Sequence, residues 1–64
     1  MSKFDIEVQL VGLDGNAYAI MGRVMRALRD AGATKAQVDE YQEQATSGDY
    51  DNLLRVTSEW VEVY

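Results

Sequence analysis

The 64-residue chain has no cysteine, no histidine and no proline. Without cysteine there is no disulfide to staple a small fold and no thiolate to bind metal. Without histidine the commonest zinc ligand and the commonest general base at neutral pH are both missing. Ser2, Ser47 and Ser58 therefore have no imidazole to activate them. Long apolar runs are lacking too, and nothing approaches the roughly 20 residues that cross a bilayer. Met1-Ser2-Lys3-Phe4-Asp5 shows no apolar signal segment, so a cytosolic protein is expected. Basic charge is scarce, at 6 lysines and arginines against 11 acids, a net charge of −5. That balance disfavours non-specific binding to nucleic acid or anionic membranes. It is compatible with nucleic-acid mimicry, although solubility alone accounts for a charge of this size.

The residues that are present pattern as one domain, 1–64. Hydrophobic residues make up 47% of the chain, an ordinary globular share. A chain this short is marginal by itself, and with disulfides excluded the available support is association, so a homodimer is expected. Over residues 3–10, Phe4, Ile6, Val8 and Leu10 alternate with Lys3, Asp5, Glu7 and Gln9, which predicts a half-buried strand. Gly12-Leu13-Asp14-Gly15 supplies a turn, and Asn16 suits an N-cap. Residues 17–31 follow with helical spacing, with Ile20, Val24, Leu28 and Ala31 on one stripe widened by Ala17 and Met21. Gly32 stands where a C′ glycine ends a helix. Thr34 and Gln37 match a capping box for a second helix running to about Thr46, with Val38, Tyr41 and Ala45 as its thin apolar stripe. Ser47-Gly48 stops that helix. Asp49 caps a short third one, whose expected buried face is Tyr50, Leu53, Leu54 and Thr57. Residues 60–64 read as a strand, with Val61 and Val63 on one side and Trp60, Glu62 and Tyr64 on the other. The expected class is α+β, in the order β-α-α-α-β. The two terminal strands pair and the helices lie over one face. A two-stranded sheet leaves free edges that a second copy would cover.

The stretch LVGLDGNAYAI, residues 10–20, raises the question of a phosphate cradle, since free N–H groups and the helix dipole draw anions to a helix start. A Walker loop requires Gly-Lys-Ser/Thr there, and a dinucleotide loop requires a third glycine. Asp14 also places a carboxylate where phosphate would sit. The stretch reads as turn and cap. As calcium ligands, Asp14 and Asn16 lack the length of loop and the bidentate glutamate that the ion needs. Paired carboxylates of the glycosidase kind have no room for a cleft in so short a chain. No metal, cofactor or catalytic residue is assigned, and a non-enzymatic role is expected.

Two charged features remain. Arg23, Arg26 and Arg29 form a ridge on the first helix away from its apolar stripe. They suit either a solvated face or a reader of phosphates and carboxylates. From Ala36 to Leu54 there is no lysine or arginine, while Asp39, Glu40, Glu43, Asp49 and Asp51 make an acidic span. This asymmetry can pair internally, pair between subunits, or meet a basic partner. Trp60 and Tyr64 would form a contact patch if they lie on the outer sheet face, whereas Trp60 turned inward would be core.

The stretches GLDGNAYAIMGRVMRALRDAG, residues 12–32, and EQATSGDYDNLLRVTSEWVEV, residues 43–63, resemble a family of short uncharacterised proteins of bacteriophages and prophage-bearing bacteria. The resemblance covers most of the chain after Val8. It is most specific at Asp14-Gly15-Asn16-Ala17, at residues 45–51 and at Trp60-Val61. The chain departs from that pattern at Tyr18, where phenylalanine is expected, and at Asn52, where histidine is usual. The resemblance implies a phage accessory protein in the host cytosol that engages host machinery. The reading is a small acidic protein acting through a protein partner. The alternative is a nucleic-acid or nucleotide binder using Arg23, Arg26 and Arg29.

Overall fold

The computed structural model describes residues 4–10 and 15–64. In chain order the elements are β1 (Glu7–Val8), α1 (Ala17–Asp30), α2 (Lys35–Ala45), α3 (Tyr50–Trp60) and β2 (Glu62–Val63). This is the expected α+β order with the terminal strands paired. The strands are parallel, Glu7 opposite Glu62 and Val8 opposite Val63. Parallel strands need a long crossover between them, and here the three helices provide it.

The helix ends follow from local chemistry. Asn16 is extended, and its side-chain oxygen accepts from the Tyr18 N–H at 2.8 Å. At the other end of α1, Gly32 takes φ 93°. Its N–H donates to Arg29 and that of Ala33 to Leu28, which closes a Schellman motif. Thr34 and Gln37 form the reciprocal capping box on α2. Asp49 caps α3 by accepting from the Asn52 N–H. The expected turn at Gly12 and Asp14 lies outside the described residues. Gly15 has no positive φ, so the backbone there does not demand glycine. Gly48 is needed for another reason: a Cβ on it would stand 2.9 Å from Asn52 Cβ.

The alternation of β1 is realised. Val8 is buried and Phe4, Ile6 and Leu10 are half-buried, while Asp5, Glu7 and Gln9 face water. Regular strand covers only Glu7–Val8, but backbone bonding runs further. Phe4 N–H donates to Trp60 O and Glu62 N–H to Ile6 O. Tyr64 N–H donates to Val8 O and Leu10 N–H to Tyr64 O. The second strand is shorter than expected because α3 keeps its helical bonding through Trp60, with the Val61 N–H still donating to Thr57.

The burial of α3 also differs from expectation. The buried stripe is Leu53, Val56, Thr57 and Trp60, spaced i, i+3, i+4, i+7. Tyr50 and Leu54 are turned outward. Trp60, left open between surface and core, is 2% exposed and is therefore no outer-face contact residue. Its ring stacks on Phe4 at 5.9 Å and meets Tyr41 edge-on at 5.7 Å. Ala31, expected on the α1 stripe, is the exposed C-cap.

Two polar pairs are matched across the α2–α3 interface. Trp60 Nε1–H donates to Gln44 Oε1 at 2.9 Å, and the Tyr41 and Thr57 hydroxyls lie 2.7 Å apart. Burial raises the Tyr41 phenol above its ordinary range, and the Thr57 bond partly offsets this. Thr57→Val keeps the shape and orphans the Tyr41 hydroxyl, so it should cost about 1–3 kcal/mol in urea unfolding. Adding Tyr41→Phe should recover much of that loss. The folded state holds the Tyr41 proton that the unfolded chain releases. Stability should therefore fall as pH rises above about 10, and the Tyr41→Phe variant should lose that part of the slope.

Candidate functional site

Helix α1 buries Ile20, Met21, Val24 and Leu28. Four-residue spacing then forces Tyr18, Gly22, Arg23 and Arg26 to the outside, with Arg29 one turn further on. Tyr18 is 80% exposed, the most exposed of the large apolar side chains among the described residues. It borders two hollows. One, of about 290 Å³, lies where the start of α1 meets the end of α2 and the start of α3. Its apolar floor includes Met21, Ala45 and Leu53, and Tyr18 and Tyr50 stand at its sides with Asp49. The other is an open groove of about 600 Å³ along the outer face of α1, lined by Tyr18, Ala19, Gly22, Arg23 and Arg26.

None of the three arginines makes a side-chain hydrogen bond or ion pair with a described residue. The other described cations are engaged. Lys35 reaches Asp39 at 3.0 Å, and Arg55 reaches Glu59 at 3.6 Å and Asn52 at 2.6 Å. The arginine ridge is thus assembled as expected, on one exposed face, and it does not pair with the acidic span.

All five acids of that span are exposed. Several have local duties. Asp39 holds Lys35, Glu40 accepts from Gln44, Asp49 caps α3, and Asp51 sits in the first turn of α3, where the helix dipole favours it. Tyr64 is exposed at the sheet, while Trp60 is withdrawn into the core, so the two do not form a joint patch. The wet sheet face carries Asp5, Glu7 and Glu62 instead. Among the described residues no group of three acidic, histidine or cysteine side chains is placed to hold a metal. None of the described helices is long and apolar enough to cross a membrane.

Two residues carry more than their sequence context indicated. Gln44 receives Trp60 on its side chain, and its carbonyl accepts from Asn52 and Ser47. Asn52 therefore straps α3 to the end of α2. This bridging is a structural use for the Asn52 amide. An i, i+8 link across a turn has no periodic signature, so it was not legible beforehand. Tyr18 lies off the apolar stripe of α1, and that placement is the sequence signal that marks it.

No family model, curated protein or solved structure matches the chain.

Nothing in the fold requires glycine at position 22. A Cβ there would meet no atom within 4 Å, and φ is not positive. Gly22→Ala should therefore stabilise the protein by roughly 0.5–1 kcal/mol, read as a higher urea midpoint.

Proposed function

We propose that this chain is a non-enzymatic interaction protein of phage type that binds a protein of the host cytosol and modulates its machinery. The observation that carries this reading is the separation of charge. Packing brings α1 against α2, yet no ion pair joins the arginines of α1 to a carboxylate among the described residues. The arginines of α1 and the acids of α2 are displayed on exposed faces without pairing to each other, and charge so displayed serves orientation and specificity in association more than stability. The acidic face of Asp39, Glu40 and Glu43, with Asp49 and Asp51 beyond it, is the surface offered to a basic partner. A homodimer fits the same picture. The two described strands leave unpaired outer edges, and the like charges of Asp5, Glu7 and Glu62 favour joining two copies by an edge over stacking their outer faces.

The triple variant Asp39→Asn, Glu40→Gln, Glu43→Gln tests the reading. It should keep the helical circular dichroism of the parent and lose about tenfold or more of partner retention in affinity capture from host lysate. Unchanged capture would remove the acidic face from the function.

The unpaired Arg23, Arg26 and Arg29 support a second reading, a nucleic-acid or nucleotide binder. If it holds, oligonucleotide affinity measured by fluorescence anisotropy should fall steeply with salt, and Arg26→Ala should weaken it at every sequence tested. Absence of binding at low salt rejects it.

A further inference from the structure

We propose that the surface on either side of Tyr18 is a two-part docking site for an acidic amphipathic segment of a partner protein. One part takes a large apolar side chain, and the other takes a carboxylate within about one helical turn of it. This surface is separate from the acidic face of α2 and rests on different observations.

The apolar part is the 290 Å³ hollow over Met21, Ala45 and Leu53, flanked by the exposed rings of Tyr18 and Tyr50. Its volume suits a single side chain better than a drug-sized molecule. Exposed tyrosines beside an apolar pocket give large contact area at low entropic cost. The charged part is the groove over Gly22 with Arg23 and Arg26 along it. In a chain with 11 acids and 6 bases, these guanidiniums have no described partner. Desolvated against a carboxylate, they would form the bidentate bonds that water now satisfies. Tyr18 borders both hollows, so one ligand can occupy both.

Gly22 is the second sign. It weakens an exposed helix where the fold itself tolerates a side chain. A bare backbone there lets a ligand's main chain lie close between Tyr18 and Arg26.

Charge and length select the occupant. Arg23 to Arg29 spans about 9 Å of helix, enough for one or two carboxylates and too short to track a long polyanion. Asp49 at the edge of the apolar hollow and the net charge of −5 both repel a phosphate backbone running past the ridge. A short acidic segment sets its apolar anchor, not its charge, beside Asp49 and brings far fewer charges against the net charge of −5 than a phosphate backbone does.

The test is selection of a random 12-residue displayed peptide library on the immobilised protein, followed by titration of the ¹⁵N-labelled protein with the selected synthetic peptides. The enriched peptides should pair a large apolar residue with Asp or Glu three or four positions away. Amide shifts should fall on Ala17, Met21, Gly22, Arg23 and Leu53. Tyr18→Ala and the double variant Arg23→Glu, Arg26→Glu should each weaken binding about tenfold or more with unchanged circular dichroism. Gly22→Leu should weaken it while leaving the fold intact. The Asp39, Glu40, Glu43 triple variant should bind the peptides as the parent does, which separates this site from the acidic face. Lack of enrichment, a basic consensus, or shifts confined to α2 would overturn the proposal. Displacement of the peptide by an oligonucleotide at physiological salt would give the ridge to nucleic acid. A dimer that the arginine double variant dissociates would give it to a second copy.

Discussion

Everything in this small domain converges on the burial of Trp60. A large ring at the junction of α3 and β2 is covered by Phe4 from the segment leading into β1 and by Tyr41 from α2, so one side chain ties that segment, α2 and α3 together. An indole can be buried only if its N–H finds an acceptor, and Gln44 on α2 supplies one. Next to it the Tyr41 and Thr57 hydroxyls satisfy each other. Among the described residues no buried side-chain polar atom is left without a partner. With neither disulfide nor metal-binding cysteine available, this packed and fully bonded α2–α3 seam takes the place of a covalent staple.

The seam also determines what the surface displays. Because α3 stays helical through Trp60, its buried stripe rotates and Tyr50 turns toward solvent beside the start of α1. The strap from Asn52 to Gln44, with Gly48 cleared to admit it, holds the end of α2 at the same place. Three helix ends thus enclose an apolar hollow at one corner, next to a helix face rich in unpaired arginine. The acids lie mostly on α2, at both ends of α3 and on the wet side of the sheet, with Asp49 at the rim of the hollow and Asp30 closing α1. The proposed function rests on this arrangement of charge and exposed aromatic area on the outside.

Much of the fold was legible locally. The alternation of Phe4, Ile6, Val8 and Leu10, the caps at Asn16, Thr34 and Asp49, and the left-handed Gly32 are all where the pattern put them. The arginine ridge was legible too, since helical spacing alone places Arg23, Arg26 and Arg29 opposite Val24 and Leu28. The errors gathered at the α3–β2 junction. Val61, Val63 and Tyr64 favour strand, and a β-rich ending invites extending it back to Trp60. The contacts with Phe4, Tyr41 and Gln44 held Trp60 in the helix instead.

By itself the sequence determined the elements, the capped starts of the helices and the α+β order, because a cap, a capping box or a two-residue alternation involves only residues within about four positions of one another. The tertiary structure alone decided which way Trp60 points, that the strands run parallel, that Arg23, Arg26 and Arg29 do not pair with the acids of α2, and that Tyr18 and Tyr50 share one hollow. Those outcomes join residues far apart in the chain, and only the shape of the closed core determines which of them meet.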